Sequence, residues 1–216
     1  MKEFKRPWKP RAYQLALPHV PAEHRAHVRQ RLAPYLRKFP FGIRGGDCWR
    51  VAQALVWIAR DEGIRYVEGV WNRSPDNEWY EGGDLPAPHA WVTVDGDLVD
   101  LIGELYGSDG SDFDWVYEPL HDYSFETVLE MLPSFYGENP QSWIDSDWST
   151  NLSLAMMEWN ESWFPESLRR DKEPSSDEEV DEFWKARAEV ATQVLFKPAV
   201  DRLLARLQPD AAKKAA

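Results

Sequence analysis

His89-Ala90-Trp91-Val92-Thr93-Val94-Asp95-Gly96-Asp97-Leu98-Val99-Asp100 is the stretch on which the fold turns. Two runs rich in β-branched and aromatic residues flank an Asp-Gly pair. That pattern predicts two short antiparallel strands, His89 to Val94 and Asp97 to Ile102, joined by a two-residue type I′ turn. The turn sets Val94 opposite Asp97, Thr93 opposite Leu98, Val92 opposite Val99 and Trp91 opposite Asp100. Side chains alternate between faces along a strand, so His89, Trp91 and Thr93 share a face with Leu98, Asp100 and Ile102. Asp97 points to the other face. Asp100 is then diagonal to His89 and within reach of a side-chain hydrogen bond. A three-residue loop or a bulge would reverse the parity and bring Asp97 there instead.

Upstream, Cys48 to Asp61 holds no Gly or Pro and is apolar on most faces. It predicts a largely buried helix with Asp47 as N-cap and Gly63 as its stop. Ile64 to Trp71 reads as a strand. Cys48, the only cysteine, falls at the helix start. There the unpaired N–H groups and the positive end of the helix dipole favour a thiolate. A thiolate nucleophile needs a neighbouring imidazole, and the imidazole needs a group that orients it. His89 and Asp100 are the candidates, so Cys48, His89 and Asp100 form the expected catalytic trio. The competing reading makes Cys48 and His89 core residues and Asp100 a turn cap or an Arg partner.

Farther out the signals weaken. Residues 1–20 are Pro- and Lys-rich and predict a basic arm. Pro21 starts a helix to about Lys38, which Pro34 kinks or ends. Asn72 to Pro88 predicts a polar loop flanking the cleft, and residues 103–122 an acidic, irregular stretch. Residues 123–170 hold short amphipathic pieces with many Trp. Ser176 and Glu179 form a capping-box pattern before a helix that reaches about Leu207 with a bend at Pro198. The expected organisation is an arm over 1–20, a catalytic core over 21–122 and a Trp-rich, mostly helical part over 123–216 packed on that core.

The chain has 216 residues, 43% of them hydrophobic, enough for one sizeable core. One cysteine excludes an internal disulfide and a Cys-rich zinc site. No apolar run exceeds six residues, Ala54 to Ala59, against roughly 20 for a membrane helix, and no apolar segment follows the charged N-terminus. A soluble cytoplasmic protein is expected. Net charge is −12, unevenly spread. Residues 1–44 carry eleven Lys and Arg against Glu3 and Glu23, a net of +9. The remainder carries −21, which disfavours general nucleic-acid binding. The basic part is expected to lie against the acidic remainder.

Gly45-Gly46-Asp47-Cys48-Trp49-Arg50-Val51-Ala52, Tyr66-Val67-Glu68-Gly69, His89-Ala90-Trp91-Val92 and Val99-Asp100 together resemble the transglutaminase-like branch of the papain-like cysteine enzymes. The resemblance covers about residues 44–102. It implies an α+β fold with the Cys-bearing helix packed on a small antiparallel sheet. It also implies a thioester mechanism on an amide or peptide bond, in a peptide, protein or small amide substrate, needing no cofactor and no metal. Two departures stand out. Asp47 occupies the position where the family often has Gln. No Gln or Asn lies between Arg31 and Asp47 to act as an oxyanion donor. The Cys48 backbone N–H, Arg44 or a tryptophan would replace it, with Arg44, Trp49 and Trp91 as the substrate-binding or oxyanion candidates.

Arg44-Gly45-Gly46-x-Cys48 is also similar to the nucleophile motif of arylamine N-acetyltransferases, which implies acetyl transfer as an alternative chemistry. A third reading is a catalytically inactive binding protein on the same scaffold, using the acidic, Trp-rich region 103–170. His24 and His27 read as a solvated helix face, Asp109, Asp112 and Asp114 as solvated charge, and His121-Asp122 as surface. Gln53 is expected to point away from Cys48.

Overall fold

The computed structural model describes residues 8–39, 42–43, 47–73, 86–107, 115–136, 153–155 and 164–207. They form a mixed α+β fold. The strands are β1 (Ile64–Arg73), β2 (Ala87–Val94), β3 (Asp97–Val99) and β4 (Trp115–Tyr123). They pair antiparallel in the order β3-β2-β1-β4. The helices are α1 (Arg25–Leu36), α2 (Cys48–Ala59), α3 (Leu101–Gly107), α4 (Phe125–Tyr136), α5 (Asp177–Leu195) and α6 (Lys197–Leu207).

The β2–β3 hairpin has the two-residue turn its sequence dictates. Val94 pairs with Asp97, Thr93 with Leu98 and Val92 with Val99. Asp95 and Gly96 have φ of 51° and 93°, both positive as a type I′ turn requires. The second strand is shorter than expected, because Leu101 and Ile102 begin α3. The stretch expected to be irregular, 103–122, includes the rest of α3 and most of β4. Pro119 hides β4 in the sequence. Proline is tolerated there because β4 is an edge strand and the register shifts between Glu68 and Gly69. At that shift a Cβ on Gly69 would collide with the Glu118 carbonyl oxygen and the Trp91 ring, so the close approach of β4 to β1 requires glycine.

The main core lies between α2 and one face of the sheet. Val51, Ala52, Leu55 and Val56 meet Ile64, Tyr66, Ala90, Val92 and Val94, and α1, α3 and α4 close the sides with Leu32, Leu105 and Leu132. A smaller cluster sets Val70 against Phe196, Ala199 and Leu203, fixing α6 on β1 and β4. Arg202 and Arg206 reinforce it by pairing with Glu118 at 2.6 Å. A third cluster gathers Val67, Trp91 and Tyr117 with Trp71 and Trp115.

Three helix ends differ from expectation. Asp47 does not cap α2 with its side chain; its carboxylate pairs instead with Arg50 at 2.6 Å. Helix α2 ends at Ala59, and Arg60, not Gly63, takes the left-handed closing conformation (φ 47°). Helix α1 starts at Arg25 after a turn over residues 22–24, keeps Pro34 within its last turn and ends at Leu36. Ser176, the residue before α5, donates its hydroxyl to the Glu179 carboxylate in the first turn of that helix. The chain breaks at Phe196, so Pro198 falls in the first turn of α6, where its missing N–H costs nothing.

The described residues of the basic N-terminal region pack against the acidic body. Trp8 and Ile43 exchange backbone hydrogen bonds, and Leu15, Leu17 and Val20 are buried. Arg31 pairs with Asp61 and Asp95, His27 with Asp95, and His24 with Asp97. No described helix is long and apolar enough to cross a membrane.

Candidate active site

Helix α2 and the β2–β3 hairpin bring Cys48, His89 and Asp100 together. Cys48 is the first residue of α2, and its side chain lies close enough to His89 to act on the charge of the ring. On the other side of the ring, Nε2 lies 2.8 Å from Asp100 Oδ2. Asp97, the opposite-parity acid, instead meets His24 on the rim.

Asp100 follows β3 directly and caps α3. Its Oδ1 accepts the Ile102 N–H at 2.9 Å, and its carbonyl accepts the Glu104 N–H at 3.0 Å. One carboxylate thus caps α3 through Oδ1 and meets the His89 ring through Oδ2. The Tyr117 hydroxyl donates to Oδ2 at 2.8 Å. A Cβ at Gly103 would sit 3.1 Å from Oδ2 and 3.3 Å from that hydroxyl, so a larger residue would crowd the cluster.

Electrostatics separate the members. Burial alone would lower the His89 pKa, but the Asp100 carboxylate and the Cys48 sulfur outweigh it and raise it to about 10. The ring is therefore an imidazolium at neutral pH. Burial pushes Asp100 up, whereas His89, Tyr117 and the Gly103 backbone N–H hold it below its ordinary value. Burial first, and Asp100 second, push the Tyr117 phenol well above its ordinary value, so it remains a donor. His19 stacks edge-on against Tyr117 at 4.9 Å, and burial lowers its pKa.

An aromatic stack holds the imidazole. Trp71 lies flat on His89, with centroids 3.8 Å apart and planes 9° apart, and Trp115 stacks on Trp71 at 4.3 Å. Trp91 is 3% exposed and meets Tyr117 edge-on at 5.2 Å. Its ring centroid lies 6.1 Å from that of His89. Trp49 is half-buried, and its buried indole Nε1 has no hydrogen-bond partner among the described residues. Arg44 lies outside the described residues, as do Asp109, Asp112 and Asp114 and most of the expected loop over 72–88; Asn72 and Pro88 themselves belong to strands. Among the described residues no group of His, Cys, Asp and Glu could hold a metal.

The sulfur is enclosed: Cys48 is 6% exposed and His89 2%. A cavity of about 10 Å³, lined by Cys48, Ala90, Val99 and Asp100 among others, adjoins them. That is room for about one water molecule.

A second buried polar cluster adjoins the trio. Glu68 is fully buried. Its carboxylate accepts the Tyr66 and Ser153 hydroxyls at 2.6 and 2.5 Å and the backbone N–H groups of Leu154 and Ala155. The Gln53 amide donates to the Tyr66 hydroxyl at 3.3 Å. Sequence reasoning missed Tyr117, Trp71 and Glu68 as polar or ring partners. Tyr117 and Trp115 share one parity on β4, a signal that Pro119 obscured. Comparison with family models, with curated proteins and with solved structures finds no match.

Proposed function

We propose that this protein is a cysteine-dependent hydrolase or acyltransferase with a papain-like, transglutaminase-like core, acting on an amide or peptide bond. One observation carries the reading: a single imidazole 2.8 Å from the Asp100 carboxylate and close enough to Cys48 for the sulfur to act on its charge. That is the arrangement nucleophilic acyl transfer needs.

In this reading the Cys48 thiolate attacks the carbonyl carbon, forming a C–S bond and moving the π electrons onto oxygen. The Cys48 backbone N–H at the open end of α2 and the unpartnered Trp49 indole are the oxyanion donors in the described region. Collapse of the tetrahedral adduct breaks the C–N bond, and the imidazolium of His89 gives its proton to the departing amine. Water, or an amine acceptor, then attacks the thioester while His89 takes its proton, and the thiolate leaves. Asp100 holds the ring in one orientation and stabilises its cationic form throughout.

Alkylation by iodoacetamide at pH 6 tests the reading. Wild type is expected to react at Cys48 while folded, and His89→Ala to slow that reaction on the order of 100-fold. Equal rates in the two proteins would overturn it. The enclosed sulfur favours a second reading, a structural or regulatory protein with a buried cysteine; a folded protein inert to alkylation would point there, and a rate that tracks an ordinary thiol would favour a catalytically inactive binding protein on this scaffold. Turnover of an acyl thioester only with an amine acceptor would select the transferase, as in the arylamine N-acetyltransferase alternative.

A further inference from the structure

Residues 9–13 and helix α1 enclose a groove of about 730 Å³, away from the residues of the trio. Pro10, Leu36 and Phe39 are buried beneath it. Four cations line it: Lys9, Arg11, Arg29 and Arg37. The guanidiniums are held by neutral acceptors. Arg29 donates through Nε and Nη2 to the Leu15 carbonyl at 3.0 and 2.8 Å. Arg37 donates to the Ala33 carbonyl at 3.2 Å, and Arg11 to the Tyr13 hydroxyl at 3.2 Å.

Among the described residues no carboxylate forms an ion pair with any of the four. Glu104 is close enough to act on Arg29 through space, but its oxygens are occupied by the Ala16 and Leu17 N–H groups. Elsewhere Arg31, Arg50, Arg65, Arg202 and Arg206 each sit on a carboxylate, whereas Arg25 meets the Val20 carbonyl and Arg60 the Trp57 ring. In a chain with 37 acidic against 25 basic residues, four cations that line one groove with no ion pair to a described carboxylate point to an anion from outside.

We propose that this groove binds a small phosphorylated ligand bearing a flat apolar group, a nucleoside polyphosphate by class. Three guanidiniums and an ammonium match several phosphate oxygens, and most guanidinium N–H donors remain free for bidentate contact. Tyr13, 70% exposed, offers a ring at the edge for a base. The volume falls in the range of small-molecule sites. A long nucleic acid is disfavoured, because the rest of the chain carries a net charge of −21.

Isothermal calorimetry on the full chain with ATP, inorganic triphosphate and adenosine tests the assignment. ATP is expected to bind tightest, triphosphate more weakly and adenosine least. Arg11→Glu and Arg37→Glu are each expected to weaken ATP by at least ~10-fold, and Arg65→Glu, which changes net charge equally, by less than ~2-fold. Arg11→Gln replaces the reversal if that variant fails to fold. No heat with ATP at about 5 mM, adenosine binding as tightly as ATP, equal weakening by Arg65→Glu, or an oligonucleotide outcompeting ATP would each overturn the proposal. None of these outcomes depends on whether Cys48 is reactive.

Discussion

Asp100 and Glu68 are both carboxylates buried against the same sheet, and the fold treats them oppositely. Asp100 has a cation beside it, one phenol and backbone N–H groups, and its pKa is held down. Glu68 has two hydroxyls and two backbone N–H groups but no cation among the described residues, and burial drives its pKa up. Neutral donors satisfy the lone pairs of a buried carboxylate without repaying the loss of water around its charge. A facing imidazolium does repay it. The first arrangement suits pinning one segment to another, as Glu68 pins residues 153–155 to β1. The second suits chemistry, because the charge it stabilises can be handed to a reacting group.

Removing the cation should break this contrast with the largest effect. His89→Leu keeps much of the ring's volume but leaves Asp100 buried with no counter-charge. Urea unfolding at pH 6 is expected to show a loss of about 3–5 kcal/mol. A loss under ~1 kcal/mol would mean that Asp100 does not depend on the imidazolium. The pH profile carries the sign. With His89 raised from 6.5 to about 10, its stabilisation is complete below pH 6.5 and is lost as pH climbs to about 10. The share of Asp100 is complete above 3.8 and is lost as pH falls. His89→Leu should therefore flatten the alkaline limb of a stability curve.

Glu68→Gln comes next. All four donors around Glu68 point at oxygen, so an amide NH2 must face two of them. A loss of about 2–3 kcal/mol is expected by the same urea titration. The pH dependence runs against that of Asp100. A carboxyl raised above 4.5 makes the folded state lose stability as pH rises through that range, and Glu68→Gln should remove that slope. An unchanged slope would place the acid-range titration elsewhere.

The two carboxylates also differ in how far the sequence reveals them. Asp100 was legible in part: the Asp-Gly turn fixes the register as far as Val99, but the strand ends there, and Asp100 meets His89 as the cap of α3 rather than as a strand residue. Cys48 was legible as the start of an apolar run without Gly or Pro. Glu68 was not, although its strand was. Its partners Ser153, Leu154 and Ala155 lie 85 to 87 residues away, and no period or spacing encodes a contact at that range. Tyr117 and Trp71 failed for the same reason, compounded by a proline that disguises β4. Helix ends misled where a tertiary partner outbid the local one: Arg50 took the carboxylate that would otherwise cap α2.

Tyr117→Phe is the mildest probe and the most discriminating. It deletes one oxygen, the donor 2.8 Å from Asp100 Oδ2, and leaves the ring against Trp91 and His19. A stability loss of about 1 kcal/mol is expected, since His89 still faces the carboxylate. A buried tyrosine that merely packs would lose that much and change nothing else. A tyrosine that positions Asp100 would also shift the titration of His89, because a carboxylate relieved of one donor binds its remaining partner more strongly. Nuclear magnetic resonance of the ring protons should then show the His89 pKa moving upward in Tyr117→Phe. No movement, with the same stability loss, would reduce Tyr117 to a packing residue and leave the Asp100–His89 pair to stand alone.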